Sequence, residues 1–142
     1  MPKSDRAQEP SLVARLQTIR LELARTREFP QGNANCGYEF VAPLDAGGHL
    51  DLEAFKQLKA HCRVHRFWAG EKTQIGALLH LGRDRWVFSY DAGSEDDEPA
   101  FKFDRHEFVP GEYVSITEHD GETLPFRIAS IRPFTPGAAA AR

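Results

Sequence analysis

Two stretches of the chain gather side chains able to do chemistry. The first is His61-Cys62-Arg63-Val64-His65, with His80 further on. Thiolate and imidazole suit zinc, and four such ligands would close a structural site. On a strand, however, Cys62 faces away from His61 and His65. No second Cys/His pair follows at zinc-site spacing, so the expectation is no metal: a buried thiol beside two imidazoles on a sheet face. The second stretch is basic and aromatic: Arg63, His65, Arg66 and Trp68, then Arg83, Arg85 and Trp86. Were the two segments neighbours, they would form a cationic face with stacking rings. Small β-barrels hold single-stranded nucleic acid in that way. The opposing reading puts the tryptophans in the core and leaves the arginines as solvated edge charges.

Other chemistry is thinner. Glu95-Asp96-Asp97-Glu98 offers oxygen ligands but lacks the spaced Asp/Gly/Glu pattern of an EF-hand loop, so it reads as a solvated loop. Lys72-Thr73 suggests the end of a phosphate loop, but Glu71 stands where that motif needs glycine. There is no Gly-x-Ser-x-Gly, no His-Glu-x-x-His and no Rossmann glycine pattern. Asp91, His106 and His119 would need the fold to bring them within hydrogen-bond reach. Catalytic residues are therefore unassigned, and no cofactor is expected.

Whatever these residues do, strands must position them. From residue 61 the hydrophobic period is two. His61–Trp68, with Cys62, Val64 and Arg66 on one face, reads as a strand, as do Ile75–Leu81 and Trp86–Tyr90. Tyr38–Val41, Phe101–Asp104, Tyr113–Thr117 and Phe126–Ile131 complete a set of seven. Asp120-Gly121 between the last two marks a hairpin with a two-residue turn. Asp51 can cap a short helix over 52–60, with Leu52, Phe55 and Leu58 on one face. Near the N-terminus, Leu12, Leu16, Ile19 and Leu23 are spaced 4, 3 and 4, the stripe of an amphipathic helix over 11–27. That stripe packs on the following domain, or pairs with a partner or a second copy.

The expected fold is mainly β: a small antiparallel barrel or strongly coiled sheet of six to seven strands. An N-terminal helix and one short helix accompany it. The organisation is a disordered lead-in at 1–10, the helix at 11–27, the β-rich domain at 36–134 and a disordered tail at 135–142. The 142 residues suit one domain, and the net charge of −3 gives no whole-chain pull toward nucleic acid. No apolar run approaches the ~20 residues of a membrane helix, and no secretory signal opens the chain. Two cysteines, Cys36 and Cys62, exclude a disulfide framework. A cytoplasmic protein with no membrane partner is expected.

Phe108-Val109-Pro110-Gly111-Glu112-Tyr113-Val114 and Pro125-Phe126-Arg127-Ile128-Ala129-Ser130 resemble the flavin-binding barrel of the ferredoxin reductase family. That family's Arg-x-Tyr-Ser motif would fall on Arg127 and Ser130, with Ala129 in place of the aromatic that packs on the flavin ring. The likeness is read as convergent hairpin grammar. Gly37–Asp45, Arg66-Phe67-Trp68 and Pro110–Ile116 look similar to a group of small uncharacterised bacterial proteins, a resemblance that implies no activity. The function expected is thus a non-catalytic binding or assembly module. The alternatives are a single-stranded nucleic-acid binder using the basic and aromatic face, and a small enzyme or cofactor-binding protein with a His/acid site.

Overall fold

The computed structural model describes residues 12–83, 85–90, 97–101, 103, 105–118 and 120–134. Eight strands follow one another: β1 (Leu16–Leu23), β2 (Asn33–Pro43), β3 (Arg63–Phe67), β4 (Gln74–His80), β5 (Trp86–Ser89), β6 (Glu98–Phe101), β7 (Tyr113–Thr117) and β8 (Thr123–Pro133). Each pairs antiparallel with the next, and β8 returns to β1, so the sheet closes into an up-and-down barrel. Closure pairs every strand on both sides and leaves no open edge.

The strand registers give the barrel two distinct ends. Leu16 pairs with Pro43, Arg63 with Ala77, and His80 with Trp86 toward one end. At the opposite end lie Leu23, Phe67, Gln74, Ser89, Glu98 and the pair Thr117 and Thr123. The first end carries the short helix α1 (Leu52–Leu58), continued by a 3-10 turn at Lys59–His61. Asp51 caps α1 as expected, its Oδ1 accepting from the Ala54 N–H at 3.1 Å. Phe55 packs edge-on against Trp86, centroids 5.0 Å apart.

Inside, the period-two alternation of each strand delivers aromatic rings to a common centre. Tyr38 and Phe40 of β2 meet Phe88 of β5 at 4.9 and 5.2 Å. Phe126 of β8 lies 5.2 Å from Tyr38, and Phe103 5.7 Å from Phe40. The outer wall is polar along β1, β2 and β8, while Ile75 and Leu79 on β4 and Tyr113 on β7 are exposed. Arg20, Glu22, Glu39, Arg127 and Arg132 form a ladder of ion pairs across β1, β2 and β8. Gly76 marks a close approach: a Cβ there would fall 2.1 Å from the Ser89 carbonyl and 2.7 Å from the Tyr90 ring. The missing side chain therefore lets β5 run tight against β4 and turn Tyr90 inward.

The main correction concerns the N-terminus. Of the expected helix over 11–27, the described residues are helical only at 12–14, and β1 follows from residue 16. This strand is the eighth, and it accounts for the underestimate of six to seven. Ile19, Leu21 and Leu23 alternate into the barrel while Arg20 and Glu22 face outward, a period of two that overlaps the 4-3-4 spacing. Two eleven-residue strands, β2 and β8, pair with it on either side, and this pairing overrides the local helical pattern. The partner stripe of Leu12, Leu16, Ile19 and Leu23 is therefore core. The last three are buried and Leu12 is partly buried against them, so no stripe remains for self-association.

A smaller correction applies to the last hairpin. Glu118 N–H donates to the Glu122 carbonyl at 2.8 Å and, inside that bond, Gly121 N–H donates to the Glu118 carbonyl at 2.8 Å, so the loop is a bulged one of three residues rather than a plain two-residue turn. Gly121 takes the positive φ, 90°, that such a loop requires. The expected lead-in, the tail and residues 91–96 of the acidic loop lie outside the described residues. No described helix is long and apolar enough to cross a membrane.

Candidate functional site at the barrel mouth

The inward rows that build the aromatic core end, away from α1, in polar side chains. On β2 the row Phe40, Tyr38 brings a phenol there, with the buried Cys36 beyond it, and on β5 the row Trp86, Phe88 continues to the phenol of Tyr90. On β3 the row is Cys62, Val64, Arg66; after β7 the row Val114, Ile116 continues to Glu118. Glu98 opens β6 one inward position before Ala100. Five strands thus place Tyr38, Arg66, Tyr90, Glu98 and Glu118 together inside one end of the barrel. Arg66 is 3% exposed, Glu118 5% and Glu98 fully buried. Charged groups are buried this deeply only when paired.

The pairing is dense. Arg66 Nη2 donates to Glu118 Oε1 at 2.6 Å, and Nε reaches the same oxygen at 3.2 Å. Arg66 Nη1 donates to Glu71 Oε1 at 3.1 Å, and Glu98 Oε2 lies 3.7 Å from Nε. The guanidinium carbon sits 4.4 Å from the centroid of the Trp68 ring, a cation–π contact. Tyr38 Oη is within hydrogen-bond reach of Glu98 Oε1, at 2.9 Å, and of Glu118 Oε2. Tyr90 Oη donates to Glu98 Oε1 at 3.0 Å.

Burial and charge shift these groups in a consistent sense. Desolvation pushes the Tyr38 and Tyr90 phenols well above their ordinary range, and the neighbouring glutamates push them further. Desolvation works against the Arg66 cation, but the hydrogen bond and charge of Glu118 overcome it and hold Arg66 above its usual value. Glu118 is raised: its burial outweighs the stabilising hydrogen bonds from Tyr38 and Arg66. A carboxyl raised in this way beside a cleft marks a candidate functional position.

A cleft of ≈ 320 Å³ opens over this cluster. Leu23, Phe29, Trp68 and Leu124 supply its apolar wall. Glu28, Glu71, Asp120 and Glu122 bring carboxylates, and Arg66 and Glu118 form the floor.

The residues expected to act together are distributed differently. Arg66 turns into the barrel instead of facing solvent. Trp86 is 3% exposed and packs on Phe55 and His80, while Trp68 is half-buried at the mouth. Arg63 and His65 remain exposed on the outer wall, and Arg83 and the exposed Arg85 lie in the β4–β5 turn. The anticipated cationic face with stacking tryptophans is therefore not assembled. Cys62 points inward, its Sγ donating to the Leu58 carbonyl at 3.5 Å, and burial pushes its thiol up to about 12. His65 lies exposed on the other side of the wall, so the two share no site. Asp91 and His119 lie outside the described residues, and the His106 ring contacts Phe108. Glu98, expected in a solvated loop, is instead a core position.

Tyr38, Tyr90, Glu98 and Glu118 were not anticipated. A signal for them exists: each is the polar residue that continues or opens an inward alternation on the mouth side. Compared with known proteins, the chain matches no family model, no curated protein and no solved structure.

Proposed function

We propose that the protein is a small binding barrel whose mouth takes a positively charged ligand with a compact apolar body, such as an amine or guanidinium compound. The observation that carries this reading is the makeup of the cleft. One side is aromatic and aliphatic, the rim is carboxylate, and a buried ion pair forms the floor. A low-dielectric cleft lined mainly by one sign of charge concentrates the opposite sign. Phe29 and Trp68 add ring faces and edges suited to an apolar body beside a cation.

Three probes of one shape test the assignment: benzylammonium, benzyl alcohol and benzoate, titrated by calorimetry against the full chain. Benzylammonium is expected to bind most tightly and benzoate least. The preference should shrink as salt rises, because much of the attraction is screened. Equal binding of benzoate, or no binding of any probe, would contradict the reading. A single-stranded oligonucleotide belongs in the same series. Its salt-dependent binding in preference to the amine would select the outer face of Arg63, His65 and Arg85 instead.

One observation favours a second reading, a small enzyme. Glu118 lines the cleft, and burial raises it from its ordinary value, the direction a general acid needs. Chemical change of a bound ligand over time would distinguish catalysis from binding.

A further inference from the structure

A second cleft, of ≈ 290 Å³, lies outside the barrel where the β1–β2 connection folds back on the wall. Register places its floor. Tyr113 of β7 pairs with Arg127 of β8, and Arg127 pairs with Glu22 of β1. Their strand neighbours Val114, Phe126, Ile128, Leu21 and Leu23 are buried, so the three side chains stand in one outward row. The connection above them is tied down. Ala24 N–H donates to the Pro125 carbonyl at 3.0 Å, and the Thr26 and Gly32 N–H groups both donate to the Phe29 carbonyl at 2.9 Å. Gly32 has a φ of 74°, and a Cβ there would fall 2.7 Å from the Leu23 carbonyl, so only glycine lets the connection return this close to β1. Next to it the register jumps from Leu23–Asn33 to Glu22–Gly37, and residues 34–36 bulge from β1. Arg20 Nη2 pins the bulge by donating to the Ala34 carbonyl at 3.0 Å.

Donors dominate the lining. Glu22 brings its carboxylate, but Arg20 Nε already donates to Glu22 Oε2 at 2.7 Å. Arg127 Nη2 stands 3.7 Å from Glu22 Oε1, beyond hydrogen-bond length, with 44% of its side chain exposed. Arg25 is exposed on the connection. Asn33 Oδ1 accepts from the Asn35 N–H at 2.8 Å, which leaves the amide NH₂ as a donor. Two guanidinium groups from different elements thus serve one cleft with donors to spare. Tyr113, 56% exposed, adds a ring beside them.

We propose that this outer cleft is a second binding site, which takes a small dicarboxylate. A guanidinium fork matches a carboxylate bidentately. Arg20 offsets the charge of Glu22, so Arg25 and Arg127 present two positive charges, the number a dicarboxylate neutralises. The volume suits a short hydrocarbon link between the two acids, with Tyr113 as its apolar contact. The tied connection holds the donors in place before the ligand arrives, which limits the ordering cost of binding. The site is opposite in charge to the barrel mouth and shares only Leu23 with it among the lining residues, so it does not depend on what the mouth binds.

Succinate, acetate and inorganic phosphate, titrated by calorimetry against the full chain at low salt, test the proposal. Succinate should bind about tenfold more tightly than either of the others, because its second carboxylate adds charge-assisted hydrogen bonds. Arg25→Gln and Arg127→Gln should each weaken succinate by about tenfold, toward the level of acetate. Both side chains are exposed, so the urea midpoints of the variants should stay close to the wild-type value. In spectra of the labelled wild-type chain, succinate should move the backbone N–H signals of Tyr113 and Arg127 and leave the Trp68 indole at the mouth in place. Acetate or phosphate binding as tightly as succinate would overturn the proposal. So would no binding of succinate, an unchanged affinity in both variants, or a saturating shift of Trp68 with Tyr113 and Arg127 unmoved.

Discussion

Replacing Arg66 with methionine is expected to destabilise the barrel by about 3–5 kcal/mol at neutral pH. Methionine approximates the length and apolar stem of the side chain, so the change chiefly removes charge. It leaves Glu118, 5% exposed, without the 2.6 Å hydrogen bond that stabilises its charge, and takes the nearby cation from the buried Glu98. It also removes the cation from the face of Trp68. Loss of one partner from a buried pair costs more than the pair contributes, because the remaining charge keeps its desolvation penalty. The deficit should shrink on acidification. Glu118 is already raised, and without Arg66 it rises further, so protonation relieves the uncompensated charge sooner. Urea midpoints at pH 7 and pH 5 check both statements. A loss below about 1 kcal/mol at pH 7 would place Arg66 with the weak surface pairs, in conflict with its burial.

The second large effect lies directly behind the site. Phe88→Ala is expected to lower stability by about 3–5 kcal/mol. Phe88 is fully buried, with ring centroids 4.9 Å from Tyr38, 5.2 Å from Phe40 and 5.8 Å from Phe103. Its strand is hydrogen-bonded on both sides within a closed sheet, so the wall is poorly placed to collapse into the space left behind. The cost therefore combines lost transfer energy with a cavity. Tyr38 loses the ring against which it packs, so the carboxyl bridge above loosens with the core. Denaturant unfolding with an unchanged slope would report the loss of stability, and the indole and methyl resonances of the mouth would report the loosening. A variant as stable as the wild type would mean that the aromatic centre does not hold the barrel together.

Much of this architecture is legible in the amino-acid sequence, for a common reason. Tyr113–Thr117 alternates strictly, aromatics recur at every second position in Trp86, Phe88 and Tyr90, turn residues punctuate them, and Asp120-Gly121 supplies the positive φ of a hairpin. These are local signals, and local structure follows them. The N-terminal strand is not legible in this way, because Leu16, Ile19 and Leu23 satisfy two periods at once. The choice is made by pairing with β2 and above all with β8, whose register partners, such as Phe126 for Leu23, lie far beyond any local window.

The site was hidden by a related ambiguity. Alternation correctly put Arg66 on one face with Cys62 and Val64, but arginine is ordinarily a surface residue. Only closure of the sheet shows that this face is the interior, and that Glu98 and Glu118 arrive there from strands far along the chain. The residues that looked chemical, His65 and Cys62, lie on opposite sides of the wall. Those that looked structural, the tyrosines ending aromatic rows, hold the carboxylates.

The proposed ligand site is the barrel mouth over Arg66 and Glu118. The two tryptophans make a direct test possible, because they report from opposite ends. Trp68 lines the cleft, and Trp86 lies in the core against Phe55 beside α1. Titration of the labelled protein with benzylammonium, followed through the two indole N–H resonances, is expected to move the Trp68 signal to saturation and leave that of Trp86 in place. Movement of Trp86 with Trp68 unchanged, or saturable binding that moves neither, would contradict the assignment of the mouth as the site.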